Sequence, residues 1–264
     1  MRSKNNPVAL FVADSHFHLR PDAKERVRLD RFLEFLEMSS QADHLILLGD
    51  IFDFWFDYPH FRLKGYEELL QGLDQVKAAG TTIHFVGGNH DIWAADYFRE
   101  RYNTSGDGQP QTIQIGSTRV QLIHGDGILS HDWLYNSFRR IVRNRYGILL
   151  GKTFHPEILF KISTWLSGTS RNATRDEALT MVTRAEEWLR RQHNPAWDLL
   201  VIGHVHNPFI IQGEGLTLAA LAGWLDNEGY GLFQNGLFQL RDFTRDPRPD
   251  FQAAGSNDLD RTTQ

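Results

Sequence analysis

Five short apolar runs rich in β-branched residues each end in acidic, amide or imidazole side chains: VALFVAD (8–14), HLILLGD (44–50), TIHFVGGNHD (82–91), RVQLIHGD (119–126) and LLVIGHVH (199–206). Two stretches of helical period separate the first three, DRFLEFLEMSS (30–40) and YEELLQGLDQVKAAG (66–80). The second closes on Gly80, a residue suited to a helix C-cap. Strand, helix, strand, helix, strand predicts an α/β chain with a parallel sheet. In such sheets chemistry gathers outside the carboxyl ends of the strands. Asp14 with His16, then Asp50, Asn89, His124, and the pair His204 and His206 all fall just past a predicted strand end. A turn-forming Asp or Asn is ordinary at any one of these places. Seven potential metal ligands delivered by five strands to one edge are not.

The spacings agree. Asp14 to Asp50 is 36 residues, Asp50 to Asn89 is 39 and Asn89 to His124 is 35, each about one βαβ unit. His124 to His204 is 80, so that interval holds an insert. In LLVIGHVHNP (199–208) an extended backbone would point His204 and His206 to one face, with Pro208 helping to end the strand. Farther on, the QNG of residues 234–236 marks a hairpin between aromatic strands in 229–243. That hairpin and residues 218–225 are expected to extend or close a second sheet. The stretch 244–264 has little to bury and is expected to be a disordered tail.

Composition narrows the chemistry. The chain has no cysteine, which excludes disulfides, thiolate ligands and a cysteine nucleophile. Any metal must be held by His, Asp, Glu or Asn. No apolar run approaches the 18 or so residues of a spanning helix, and VALFVA is too short for a signal peptide, so a cytoplasmic protein is expected. The formal charge is −5, yet Arg139, Arg140, Arg143, Arg145, Lys152, Lys161, Arg171 and Arg175 stand against the single acid Glu157 within residues 133–175. A basic island on an acidic chain points to an anionic partner, a phosphorylated substrate or a membrane surface. The acidic remainder would repel a long polyanion, so nucleic acid is not expected as a partner.

Read in order, the polar blocks are D-x-H (Asp14, His16), G-D-x-x-D (Gly49, Asp50, Asp53), G-N-H-D (Gly88 to Asp91), H-G-D (His124 to Asp126) and G-H-x-H (Gly203 to His206). This ordered set resembles the signature of the calcineurin-like metallophosphoesterases over roughly residues 8–240. The resemblance implies an α/β fold of the αββα sandwich type. Residues 1–126 and 176–243 would form its core, and 127–175 a helical lid insertion. It implies two divalent ions, one on Asp14, His16 and His206, the other on Asn89, His124 and His204, with Asp50 bridging. Imidazole and carboxylate suit manganese, iron, zinc or other divalent first-row ions, and the resemblance implies manganese foremost. Two ions ~3.5–4 Å apart acidify a shared water and brace phosphate oxygens during in-line attack, so the reaction would hydrolyse a phosphate ester or anhydride. Asn89 is neutral and can ligate while limiting the negative charge that competes with the phosphate.

By the same resemblance His90 is the catalytic residue that contacts the phosphate and protonates the leaving group. His18, in DSHFH, stands where relatives generally carry Gly after D-x-H-L, and it either touches the substrate or covers the site. Asp53, Asp91 and Asp126 are either acceptors that orient the ligand rings or solvated turn acids. Glycines 49, 87, 88, 125 and 203 fit the sharp turns such loops require.

GDIFDFWFDY (49–58), GNHDIW (88–93), HGDG (124–127), the arginine-rich insert and GHVHNP (203–208) are similar to a narrower group, the UDP-2,3-diacylglucosamine diphosphatases of lipid A biosynthesis. This implies water attack on the α-phosphate of the nucleotide sugar, releasing UMP and 2,3-diacylglucosamine 1-phosphate. It further implies an anionic glycolipid substrate and peripheral placement on the inner membrane of a Gram-negative-type bacterium, with no protein partner. Asn89, His90, Asp132, Tyr135 and Arg171 are its expected substrate contacts. In the insert, Leu134, Phe138, Ile141 and Val142 recur at helical spacing, as do Ile158, Leu159, Ile162, Trp165 and Leu166 after Pro156. Such a pair reads as a lid or interfacial anchor for an anionic lipid, or as a stripe packed on the body. The chain departs from the pattern at His90, where the best-known branch has Arg, and in ALAGWLD (220–226), which replaces a late Gly-Asp-Trp motif. The alternatives are a general metallophosphoesterase for phosphoproteins, nucleotides or cyclic nucleotides, and a binding module lacking metal chemistry. All seven ligands are present, which speaks against the last.

Overall fold

Alternate residues of β1 (Ala9–Val12) bury against different layers, and that alternation organises the molecule. A computed structural model describes residues 6–55, 64–104, 108–126, 178–192, 195–213 and 215–251. Leu10 and Val12 join Leu45 and Leu47 of β2 (His44–Leu47) and Ile83 and Phe85 of β3 (Thr82–Phe85). Together they pack on α1 (Ala23–Ser39), α2 (Glu67–Ala78) and α3 (Ala95–Tyr102). Ala9, Phe11 and Ile46 face the other way, toward Ile115, Val120, Leu122, Val201 and Ala219 of a second sheet. The far side of that sheet, with Leu200, Ile202, Leu218 and Ala220, is covered by Met181, Ala185 and Leu189 of α4 (Ala178–Arg190). Helix, sheet, sheet, helix is the expected αββα sandwich. Strands buried on both faces read as continuous apolar runs, which is why they are visible in the sequence.

The first sheet has the order β10-β9-β1-β2-β3, and the second β4-β5-β6-β8-β7. These comprise β4 (Gln111–Ile115), β5 (Thr118–Ile123), β6 (Leu199–Ile202), β7 (Phe209–Gln212), β8 (Thr217–Ala220), β9 (Gly229–Gln234) and β10 (Leu237–Asp242). The pairs β1–β2, β2–β3, β5–β6 and β6–β8 are parallel, and β1–β9, β9–β10, β4–β5 and β7–β8 are antiparallel.

Four expectations are corrected. The β9–β10 hairpin turns at Asn235 and Gly236 as expected, but β9 pairs with β1 and so extends the first sheet. Without it β1 would carry a row of unpaired backbone groups beside the core; of residues 218–225 only the strand β8 joins the second sheet. α1 starts earlier than residue 30, because the Asp22 carboxylate caps it by accepting the Glu25 N–H at 2.8 Å and charged residues precede its apolar stripe. Residues 244–251 pack rather than trail away: the Arg248 guanidinium lies 3.7 Å from the centroid of the Phe243 ring, and Phe251 is buried in the α1 layer. Finally, β6 stops at Ile202, before the histidine pair, and Pro208 precedes β7 instead of ending β6. Residues 252–264 and the insert 127–175, with Asp132, Tyr135 and Arg171, lie outside the described residues. No described helix is long and apolar enough to cross a membrane.

His44, the first residue of β2, and His84, the third of β3, bring Nδ1 and Nε2 to 3.1 Å from one another. Burial, reinforced by His44, pushes the His84 pKa down to about 4, and burial lowers that of His44 against the pull of Asp43. An unfolded histidine titrates near ~6.5, so the folded state binds fewer protons between the two values. This contribution is complete above about pH 6.5 and is lost as pH falls toward 4. Replacing His84 by Gln is expected to flatten the acid limb of stability over that window by roughly 2–3 kcal/mol, read from urea unfolding at stepped pH. An unchanged slope would place the proton uptake elsewhere.

Candidate metal centre

The parallel strands end flush. Val12 is level with Leu47 and Leu47 with Phe85; in the other sheet Ile123 is level with Ile202 and Ile202 with Ala220. The loops therefore leave along one edge and run beside one another. Asp14 N–H donates to the Gly49 carbonyl at 3.0 Å, His16 N–H to that of Asp50 at 2.9 Å, and Gly203 N–H to that of His124 at 2.9 Å. Two bonds cross between the sheets: His204 N–H donates to Asp14 Oδ2 at 2.8 Å, and His124 Nδ1–H to the Leu48 carbonyl at 2.9 Å.

Backbone turns, and not the pleat of a strand, aim these side chains. Asp14 (φ 53°), His16 (46°), Asp50 (53°), His204 (66°) and His206 (56°) are all left-handed. For a non-glycine residue that conformation costs about 1–3 kcal/mol. His204 and His206 thus do not share a face by strand periodicity, and each joins a different group. Ligand atoms of Asp14, His16 and His206 lie within 4.8 Å of one another, as do those of Asp50, His124 and His204, and those of His16, Asp50 and His90. Asp50 Oδ2 stands between the sets, 3.8 Å from His16 Nε2 and 3.4 Å from His124 Nε2.

Asp14 and Asp50 are buried, and their ion-pair partners among the described residues are imidazoles only. Burial pushes the Asp14 carboxyl up. It acts on Asp50 too, but His124, His90 and His16 outweigh it and hold that group well below the ordinary range. Burial disfavours charge on His124, yet Asp50 wins and raises it to about 10, whereas burial and neighbouring His124 lower His204 to about 4. For His206, burial is overcome by Asp14 and Asp226, which raise it.

Asp14 Oδ1, Asn89 Oδ1 and His124 Nε2 are buried without a hydrogen bond. A buried acceptor left bare costs about 1–3 kcal/mol, and aggregated lone pairs of oxygen and imidazole nitrogen are what a first-row divalent ion satisfies. His124 donates through Nδ1 to Leu48, so Nε2 is the nitrogen that would face an ion once it gives up its proton. The donors fit metal ions.

The acids expected to orient rings divide into different tasks. Asp91 ties two loops together: its carboxylate accepts N–H bonds from Gly88 at 2.9 Å, Asp50 at 3.1 Å and Ile51 at 2.8 Å. Gly88 is needed beside it, since a Cβ there would lie 2.0 Å from Asp50 Oδ1. Asp53 orients His90 through its backbone carbonyl, 2.7 Å from Nδ1, while its carboxylate lies 3.9 Å from His16 Nδ1. Asp126 is buried near enough to His124 and His204 to favour their charged forms. His18 stands at the rim, with Nδ1 2.8 Å from Glu25 Oε2 and Nε2 3.6 Å from Asp53 Oδ2. Sequence reasoning missed both Glu25 and Asp226, whose Oδ2 lies 2.5 Å from His206 Nδ1.

Residues 8–208 match the calcineurin-like phosphoesterase family. A protein of Porphyromonas gingivalis named UDP-2,3-diacylglucosamine hydrolase is 29% identical over 78% of this chain and 84% of its own length. One of the same name from Chromohalobacter salexigens is 28% identical over 84% of this chain and 91% of its own. A third, from Proteus mirabilis, is 29% identical over 81% and 90%.

Replacing Asp91 by Ala strands three buried N–H donors at about 1–3 kcal/mol each. The expected loss is at least ~3 kcal/mol in urea unfolding, partly recovered by Asp91→Asn, which keeps an acceptor. A midpoint equal to that of the parent would show that the loops hold without this carboxylate.

Proposed function

The chain belongs to the calcineurin-like phosphoesterase family, and on that premise we propose that it is a dinuclear-metal hydrolase cleaving the pyrophosphate of UDP-2,3-diacylglucosamine. UMP and 2,3-diacylglucosamine 1-phosphate are the products, a step of lipid A biosynthesis. The observation that carries the substrate is the similarity to hydrolases named for it along 84–91% of their own length. The gathering of candidate ligands from the ends of β1, β2, β5 and β6, with His90 after β3 beside them, supports the chemistry.

In this reading Asp14, His16 and His206 would hold one ion and Asn89, His124 and His204 the other, with Asp50 available to both. Manganese is the metal proposed, and iron and zinc are compatible with the same donors. When bound, such a pair acidifies a water and offsets charge on the phosphate oxygens. The amide of Asn89 adds a ligand oxygen without a negative charge that would oppose the phosphate. His90 keeps Nδ1–H on the Asp53 carbonyl, so Nε2 is the nitrogen that carries a proton to the leaving oxygen. The neighbouring His16 ring, edge-on with centroids 4.7 Å apart, limits how far His90 can turn.

Asn89 and His90 also contact the substrate, as do Asp132, Tyr135 and Arg171 of the insert. That insert, 127–175, is a lid over the acyl chains on a core of 1–126 and 176–243. Its basic residues would draw the enzyme to an anionic surface, peripheral on the cytoplasmic side of the inner membrane.

The test is competition between substrates. Metal-replete protein is expected to release UMP from UDP-2,3-diacylglucosamine with a far higher kcat/KM than it shows for bis(p-nitrophenyl) phosphate. The opposite preference would leave a general phosphoesterase acting on phosphoproteins, nucleotides or cyclic nucleotides. In the same assay His90→Gln is expected to lower kcat by about 10²–10⁴ while two ions remain bound. A kcat that does not fall removes the proton-donor role.

A further inference from the structure

β8 also opens onto the ligand edge, and the chain passes from it into a helix of four residues, α5 (Trp224–Asn227). This helix is held from three sides. Trp224 N–H donates to the Ala13 carbonyl at 3.1 Å and Leu225 N–H to that of Asp14 at 3.0 Å, which fastens the helix to the loop bearing Asp14 and His16. The Trp224 ring is fully buried among Phe32, Phe35 and Phe243, with centroids 5.0, 5.1 and 5.4 Å away. Glu228, just past the helix, pairs with Arg31 of α1 at 2.6 Å. This is more anchorage than a single turn needs to connect two strands.

Its position relative to His206 gives the anchorage a purpose. At Gly223 a Cβ would lie 2.7 Å from His206 Nδ1, so the ring rests on bare backbone and no side chain fits there. Three residues on, Asp226 returns to the same ring and places Oδ2 2.5 Å from Nδ1. On the other side, His206 Nε2 lies 3.6 Å from Asp14 Oδ1, the buried oxygen without a hydrogen bond. One nitrogen faces Asp226 and the other faces the cluster.

We propose that Asp226 is a positioning residue: it holds the proton of His206 on Nδ1, turns Nε2 toward Asp14 and His16, and works only because position 223 has no side chain. This rests on reading Asp14, His16 and His206 as one metal site. It also accounts for ALAGWLD, since the carboxylate arrives one helical turn after the glycine. A carboxylate behind a ligating imidazole fixes the ring and raises its basicity, and removing such a partner typically costs about 10–100-fold in metal affinity.

The experiment is equilibrium dialysis of the full chain against Mn²⁺, with bound metal counted by elemental analysis and the ion pair followed by its electron spin resonance signal. The parent is expected to bind two ions per chain and give the signal of a coupled pair. Asp226→Ala should keep one ion at parental affinity, bind the second about 10–100-fold more weakly, and give an isolated-ion signal. Asp226→Asn, which retains an acceptor oxygen, should fall between the two. Gly223→Ala should reproduce the loss by pushing Nδ1 of the ring away from Asp226. The metal-free melting temperature of Asp226→Ala should match the parent, because this half-exposed carboxylate is not part of the core. Two ions bound at parental affinity by Asp226→Ala would overturn the assignment. A parent that binds two ions but ignores UDP-2,3-diacylglucosamine would sink the substrate and not this inference, whereas a parent that binds none would sink both.

Discussion

Two carboxylates sunk between the sheet edges, with only imidazoles as ion-pair partners among the described residues, set the terms for everything around them. An ionised carboxylate taken out of water costs several kcal/mol unless its oxygens are matched. The chain matches half of each. Asp14 Oδ2 accepts the His204 N–H and Asp50 Oδ1 accepts the His90 N–H, while Asp14 Oδ1 and Asp50 Oδ2 face the imidazoles. Each acid therefore has one oxygen spent on architecture and one directed at chemistry. The architectural bond of Asp14 joins the two sheets, so the site cannot form in one sheet alone.

Backbone strain collects at the same place. Eight non-glycine residues among those described are left-handed, and five of them are candidate ligands. The other three stand where such a conformation is ordinary: Asn103 and Glu228 end helices, and Asn235 turns the hairpin. Regular strands thus run to their last residue, and the irregularity is confined to a few positions that the cross-loop hydrogen bonds hold in place. Strain persists when the surroundings over-determine it. Flush strand ends and paired loops supply that determination here.

The fold is legible where a residue's fate depends on near neighbours. Doubly buried strands show as runs of Val, Ile and Leu, and Asn235-Gly236 announces its turn. The blocks from Asp14 to His206 point to one edge because strand ends carry their own polar punctuation. The features that stay hidden depend on distant partners. Sequence places the hairpin in the wrong sheet because the open side of β1, more than 200 residues away, decides its pairing. It puts His204 and His206 on one face because the period of a strand is carried past Gly203. Asp226 looks like any surface acid, since its role is defined by a ring 20 residues earlier in the chain. Asp91 reads as an orienter of rings or a solvated turn acid, and only the position of the three backbone donors Gly88, Asp50 and Ile51 shows it to be a tie between loops.

Floor and rim of the site are built from different layers. The floor comes from the strand ends, where burial leaves little room for change, as the absence of space at Gly88 shows. The rim is supplied by helices. Glu25, in the first turn of α1, grips both the backbone N–H and the Nδ1 of His18, while Asp226 of α5 meets the Nδ1 of His206. Arg28, one turn along α1, lies 3.7 Å from Glu25; burial lowers its pKa against the pull of Glu25, Asp22 and Asp226. A single cation therefore stands near both carboxylates that back a rim histidine. Since α1 is bonded to α5 through Arg31 and Glu228, and α5 to the Asp14 loop and to His206, a displacement of the outer helix would reach Asp14 and His206 together.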